Sequence, residues 1–190
     1  MVIEQHQNKQ EEVLDEEELI RKAQADPDEF RLLYQRHFKK IFLFVLHRIG
    51  DKALTADITS QVFLKALINL HKFRFRGLPF SAWLFRIALN ECNSFFRSTK
   101  RHRVVTLEDG TLDHLHDELT ADTTVQDLEE RLPGILQKLS ADELQLIELR
   151  FFEQRPFKEI ASILSITETY AKVKVYRTLD KMKKYFLQQK

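Results

Sequence analysis

Two short apolar stripes on either side of a three-residue turn constrain this chain more than any other feature. Phe157, Ile160, Ala161 and Leu164 recur at i, i+3, i+4 and i+7, the spacing of one helical face, and Ala171, Val175, Leu179 and Met182 form a second. Between them stands Ser165-Ile166-Thr167, a turn with an apolar centre. Thr167 is a natural N-cap, and Glu168 sits at the positive end of the helix that follows. The small Ala161 lets the two helices approach closely, so the unit reads as a helix-turn-helix.

In that geometry the second helix enters a DNA major groove. Lys172, Val173, Tyr176 and Arg177 lie opposite its apolar stripe, with Lys174 and Lys181 alongside. Cations and hydroxyls suit phosphates, and a bidentate arginine on guanine supplies roughly 1 to 3 kcal/mol of base discrimination. Val173 suits a thymine methyl group. The same residues also read as a solvated basic face on a small helical bundle.

The remainder of the chain is helical in pattern too. With only 4 Gly and 4 Pro against 43% hydrophobic residues, it lacks the turn chemistry of a many-stranded sheet, and the expected fold is all-α. Residues from Leu19 to Arg48 predict two helices broken near Asp26 and Pro27, with Asp28 as N-cap and Gly50 as the stop. A third helix is expected from about Thr55 to Leu70, with Ile58, Val62, Leu64 or Lys65, and Ile68 or Leu70 inside, and Asp57, Thr59 and Gln61 outside. After a loop containing Gly77 and Pro79, a fourth helix from Phe80 to Arg97 puts Trp83, Ile87, Ala88 and Phe95 on its apolar side. These four helices make one domain, 15–103; an acidic linker of little structure, 104–130, leads to a second, 131–188.

The net charge of +1 hides strong segregation, acidic before Leu19, basic from Arg97 to Arg103, acidic in the linker and basic from Lys172 onward. A single cysteine, Cys92, rules out an internal disulfide framework and a Cys-based zinc site, and fits a reducing compartment. No apolar run approaches the roughly 20 residues that span a bilayer, so a cytoplasmic protein is expected. Asp113-His114-Leu115-His116-Asp117 offers metal ligands only superficially. With no phosphate loop, nucleophile elbow or zinc helix, no cofactor, metal or enzymatic activity is expected.

Two groups of residues carry a family resemblance. Phe157-Lys158-Glu159-Ile160-Ala161 through Ile166, then Lys172 to Arg177, resembles the promoter-reading fourth region of bacterial RNA polymerase sigma factors. Asp57-Ile58 to Val62-Phe63-Leu64-Lys65-Ala66 resembles the polymerase-clamp helix of the same family's second region. Phe75-Arg76-Gly77, Phe80, Trp83 to Ala88 and Asn90 resemble its promoter-melting part. Both motifs in this order, joined by a short acidic linker, resemble the extracytoplasmic-function group of the sigma-70 family. The chain departs from the family pattern at Ser60 and Gln61, at Ser165 where glycine is frequent, and at Thr169-Tyr170.

The resemblance implies partners and sites. Core RNA polymerase, through its clamp and flap, would bind the chain, as would promoter DNA in duplex and single-stranded form; an anti-sigma factor is a common partner in the group. Asp57, Gln61 and Phe63 would face the clamp. Phe75, Arg76, Gly77 and Asn90 would line a pocket for a base flipped from the minus-ten element, with Arg97, Lys100 and Arg101 on its phosphates. Lys172, Val173, Lys174, Tyr176 and Arg177 would read the minus-thirty-five element. The physics agrees, since His71-Lys72-Phe73-Arg74-Phe75-Arg76 interleaves cations with aromatic faces that hold unstacked bases at roughly 1 to 3 kcal/mol each. Taken without the motif, Phe75 would be a core aromatic and Asn90 a helix-surface residue; Trp83, Phe80 and Phe85 are expected in the core. Two other functions fit parts of the chain: a free-standing helix-turn-helix regulator, and a helical adaptor that binds only proteins.

Overall fold

Asp26 and Pro27 set the first boundary. The computed structural model describes residues 15–75, 77–99, 115, 118–119 and 125–188, with backbone alone at 125–128. Helix α1 covers 15–25. Asp26 then adopts extended backbone and its carboxylate accepts the N–H of Asp28 at 3.0 Å, capping a 3-10 turn, Pro27–Glu29, that runs into α2, Phe30–Ile49. The cap is therefore Asp26 rather than Asp28, because proline fills the first helical position, where a missing N–H costs nothing. Helix α2 stops at Gly50, whose φ of 73° is the left-handed conformation that favours glycine.

Asp51 caps α3, Lys52–Asn69, by accepting the N–H of Leu54 at 2.9 Å, so this helix begins three residues before Thr55. Its buried face is Thr55, Ile58, Thr59, Val62, Phe63 and Ala66. Thr59 is thus inside rather than outside; of the alternatives Ile68 or Leu70 it is Leu70 that is buried, with Ile68 60% exposed, and of Leu64 or Lys65 neither is, Leu64 being 56% exposed. In α4, Phe80–Thr99, the fully buried stripe is Leu84, Phe85, Ala88, Leu89 and Cys92. Helices α2, α3 and α4 pack on one another around it, with the Phe44 and Phe85 rings edge to face at 4.8 Å.

The chain divides at residue 103 into two compact units. In the second, α5 (Val125–Leu136) starts inside the stretch expected to be linker. Leu132, Ile135 and Leu136 are buried, and Leu115 and Leu119 within that stretch are buried as well, so apolar burial carries structure further back than composition suggested. Helix α6, Ala141–Ile147, opens with a reciprocal capping box between Ser140 and Glu143 and continues into a π-helical turn, Glu148–Phe152. Helices α7, Phe157–Leu164, and α8, Glu168–Leu187, complete the unit. Helix α8 packs on α5, α6 and α7 through Ala171, Val175, Thr178, Leu179, Met182 and Phe186. Among the described residues there is no strand, and no helix is long and apolar enough to cross a membrane.

Candidate nucleic-acid interface

In the first unit, the segment joining α3 to α4 is held by side chains from elsewhere. Gln24 on α1 donates to the carbonyls of Leu70 and Phe73 at 2.8 and 3.0 Å, fixing the 3-10 turn Leu70–Lys72 and the extended residue that follows. Arg74 donates to the carbonyl of His71 at 2.8 Å. Gly77 has a φ of 68° with open space where a Cβ would lie, so glycine serves the backbone conformation there and not a close approach. The Phe73 ring packs at 5.3 Å from Phe80 and 5.1 Å from Trp83.

These contacts leave a cleft of about 340 Å³ along the α3–α4 flank. Phe73, Trp83 and Ile87 supply its apolar wall; Lys65, Asn69, Lys72, Asn90 and Glu91 supply its polar groups. The Lys65 ammonium donates to Glu91 Oε1 at 2.6 Å, and Asn69 is used at both ends, accepting from Lys72 at 3.1 Å and donating to the Lys65 carbonyl at 2.9 Å. The Asn90 amide has no hydrogen-bond partner among the described residues. Arg97 is exposed two turns further along the same face of α4.

Of the residues expected to line a base pocket, the structure places Asn90 in the cleft, while half-buried Phe75 and exposed Gly77 are not among its lining. Arg76, Lys100 and Arg101 lie outside the described residues. The aromatic faces come instead from Phe73, part of the alternating aromatic and basic segment, and from Trp83. Trp83 is half-buried in the cleft wall rather than enclosed in the core, because α4 turns Leu84 and Phe85 inward; Phe80 and Phe85 are fully buried.

The outer face of α3 differs from expectation at one residue. Asp57 and Gln61 are exposed, but Phe63 is 3% exposed, its ring 4.8 Å from Tyr34 and 6.5 Å from Phe30. It packs the α2–α3 seam and is unavailable to a partner. The helical period puts Leu64 and Ile68 on the same stripe as Asp57 and Gln61, so the outer face is more apolar than expected. Their being out of phase with Ile58, Val62 and Ala66 was the available signal.

In the second unit the turn is built as its residues suggested. Ser165 takes the left-handed conformation (φ 59°), the Ile166 N–H reaches back to the Ala161 carbonyl at 3.0 Å, and the Ser165 N–H to that of Ser162 at 3.3 Å. This is a Schellman closure. The Thr167 hydroxyl then accepts the N–H of Tyr170 at 3.2 Å to cap α8. Lys172, Val173, Tyr176 and Arg177 all face solvent. Phe157, at the start of α7, lies under them, 6.0 Å from the Lys172 ammonium and 6.3 Å from the Tyr176 ring. Arg150 stacks on the same ring at 4.8 Å, extending the basic strip by a residue that sequence reading missed because it lies outside the helix-turn-helix.

The flanking lysines have other settings. Lys174 is half-buried and lines a groove of about 230 Å³ with Leu146, Leu164, Ile166 and Tyr170. Lys181 is drawn to Glu143 on α6, with distances of 3.0 and 2.8 Å to the two carboxylate oxygens. Burial pushes the Glu143 carboxyl up, but hydrogen bonds from Lys181 and from the Ser140 N–H and hydroxyl outweigh it and hold the group below the ordinary glutamate value. The hydrogen bond to Glu143 raises Lys181 against a smaller opposing effect of burial. Among the described residues no cluster of three His, Cys, Asp or Glu could hold a metal ion; Asp113, His114, His116 and Asp117 lie outside them.

Comparison with known proteins agrees with both units. Residues 33–102 match the Sigma-70 region 2 model and residues 135–184 the Sigma-70, region 4 model. The ECF RNA polymerase sigma factor BldN of Streptomyces coelicolor is 28% identical over 164 residues, covering 85% of this chain but only 62% of BldN. The ECF RNA polymerase sigma factor SigM of Bacillus subtilis is 24% identical over 152 residues, 80% of this chain and 91% of SigM. Among solved structures, CnrH in complex with the cytosolic domain of CnrY superposes with a TM-score of 0.62 at 20% identity, over 92% of this chain and 99% of that one. The sigma factor RpoE in complex with the anti-sigma factor NepR from Bartonella quintana gives 0.57 at 19% identity, over 84% and 97%.

Proposed function

Because the chain belongs to the sigma-70 family, in its extracytoplasmic-function group, we propose that it binds core RNA polymerase and directs it to promoters. The first unit grips the polymerase clamp through Asp57, Gln61, Leu64 and Ile68. It traps an unstacked base of the minus-ten element in the α3–α4 cleft, against Phe73 and Trp83, with Asn90 reading the base and Arg97, Lys100 and Arg101 on neighbouring phosphates. Phe75, Arg76 and Gly77 shape the approach to it. In the second unit Lys172, Val173, Tyr176 and Arg177 read the minus-thirty-five element as duplex, with Lys174 at the margin.

The observation that carries this reading is the cleft, which combines aromatic faces, ammonium groups and the Asn90 amide, which has no hydrogen-bond partner among the described residues. A free-standing helix-turn-helix regulator would leave it without a task. In this reading the chain places polymerase and opens the strands, and catalysis belongs to the polymerase. A cytoplasmic location belongs to the same proposal, as does an anti-sigma partner, supported by the anti-sigma factor bound to RpoE.

The test is transcription in vitro. Purified chain added to core polymerase on a genomic promoter library should yield discrete transcripts that share two upstream elements. A stable dimer that binds duplex DNA but neither associates with polymerase nor yields transcripts would sink the proposal.

A further inference from the structure

The α3–α4 cleft holds a group that base stacking and phosphate binding do not require. Glu91 lines it with its side chain 11% exposed, next in sequence to Asn90. Its Oε1 takes one bond from the Lys65 ammonium, which is itself 53% exposed. A carboxylate has two oxygens and about four lone-pair sites, so one ammonium leaves most of its accepting capacity unused. Asn69, the other amide in the cleft, is already committed to Lys72 and the Lys65 carbonyl. The polar end of the cleft therefore pairs an acceptor that cannot donate with an amide that does both.

We propose that Glu91, oriented by Lys65, selects the base that enters this cleft by accepting from an exocyclic amino group, so that adenine, cytosine or guanine is taken and thymine is refused. The inference rests on the base-capture reading above and adds the identity of the base. On a flipped base it is the pairing edge that is read. Adenine, cytosine and guanine each present an amino group there, whereas thymine presents a single ring N–H between two carbonyl oxygens, which a carboxylate repels. A charge-assisted hydrogen bond made by some bases and replaced by repulsion in another separates affinities by about tenfold.

The experiment uses the full chain bound to core polymerase, with fluorescent single-stranded oligonucleotides of the minus-ten element that transcript mapping defines. The captured position carries each of the four bases in turn. Thymine should bind about tenfold more weakly than the best amino-bearing base. Glu91→Gln, whose carboxamide can rotate to offer a donor, should bring thymine to within about twofold of it. Lys65→Met, which keeps the carboxylate but removes the contact that orients it, should keep thymine last with a smaller penalty. Asn90→Ala should weaken all four. A thymine penalty that Glu91→Gln leaves intact, while its melting temperature falls, makes the Lys65–Glu91 pair only a clasp between α3 and α4 and overturns the selection, with base capture still standing on the Asn90 effect. Binding indifferent both to the base and to Asn90→Ala overturns base capture itself.

Discussion

Glu16 Oε2 accepts the backbone N–H of Phe80 at 2.9 Å, joining residues 64 positions apart. Its Oε1 lies 3.1 Å from His37 Nε2, and the His37 ring sits 5.6 Å from that of Phe80. Phe80 is the first residue of α4, where N–H groups have no partner within the helix and negative charge is favoured. One carboxylate from α1 thereby fixes the start of the helix that carries Trp83, Asn90 and Glu91.

Removing it should be costly. Glu16→Ala leaves a buried imidazole and a buried N–H without their acceptor and should destabilise the first unit by about 2 to 4 kcal/mol in urea unfolding. The pH dependence follows. Burial raises the Glu16 carboxyl, but the His37 and Phe80 hydrogen bonds, with the charges of His37 and Arg36, bring it below its ordinary value of 4.5. A depressed carboxyl contributes fully above the unfolded value and loses its contribution as pH falls through the folded one. Wild type should therefore lose stability more steeply than Glu16→Gln below about pH 4.5; parallel curves would refute this.

On α3, neighbouring residues should behave in opposite ways. Phe63→Ala opens a cavity and should cost about 3 to 5 kcal/mol of stability. Leu64→Asp together with Ile68→Ala should leave unfolding nearly unchanged while weakening capture of core polymerase at least about tenfold. Undiminished capture would remove α3 from the polymerase surface.

Ser165 occupies a left-handed position that suits glycine better. Ser165→Gly should stabilise the second unit by about 0.5 to 1 kcal/mol, read as a higher denaturant midpoint at unchanged slope.

Arg177→Ala and Lys181→Ala should separate reading from scaffolding. The first should weaken binding to the upstream duplex by about 1 to 3 kcal/mol and spare polymerase association. The second should leave duplex affinity nearly intact and lower stability at neutral pH. That stabilisation has two limits: Glu143, depressed, loses it as pH falls below the ordinary carboxylate range, and Lys181, raised, loses it as pH climbs beyond the ordinary ammonium range. A Lys181→Ala variant with the larger loss of DNA affinity would reverse the assignment.

The helix-turn-helix could be read from sequence because all of its determinants are local: two apolar stripes, a three-residue turn and a capping threonine lie within a run of 26 residues, Phe157 to Met182. The flank of α4 was harder. Trp83 and Ile87 keep a helical period with each other, and only the packing of Leu84, Phe85 and Cys92 shows which of two adjacent stripes faces inward. Glu16 could not be read at all; it stands in an acidic run, and its partners come from α2 and α4. The Lys65–Glu91 contact was hidden for the same reason, since nothing local to either residue marks the other.

Helix α3 presents Asp57, Gln61, Leu64 and Ile68 on one side and sends Lys65 and Asn69 into the cleft on another. Each added residue rotates all that follows on a helix by about 100°. One residue inserted between Asp57 and Leu64 would thus turn Leu64 and Ile68 onto the cleft side, and one deleted there would turn Lys65 and Asn69 onto the outer face. Evolution can recolour this rod side chain by side chain, but it cannot change its length without scrambling two surfaces at once.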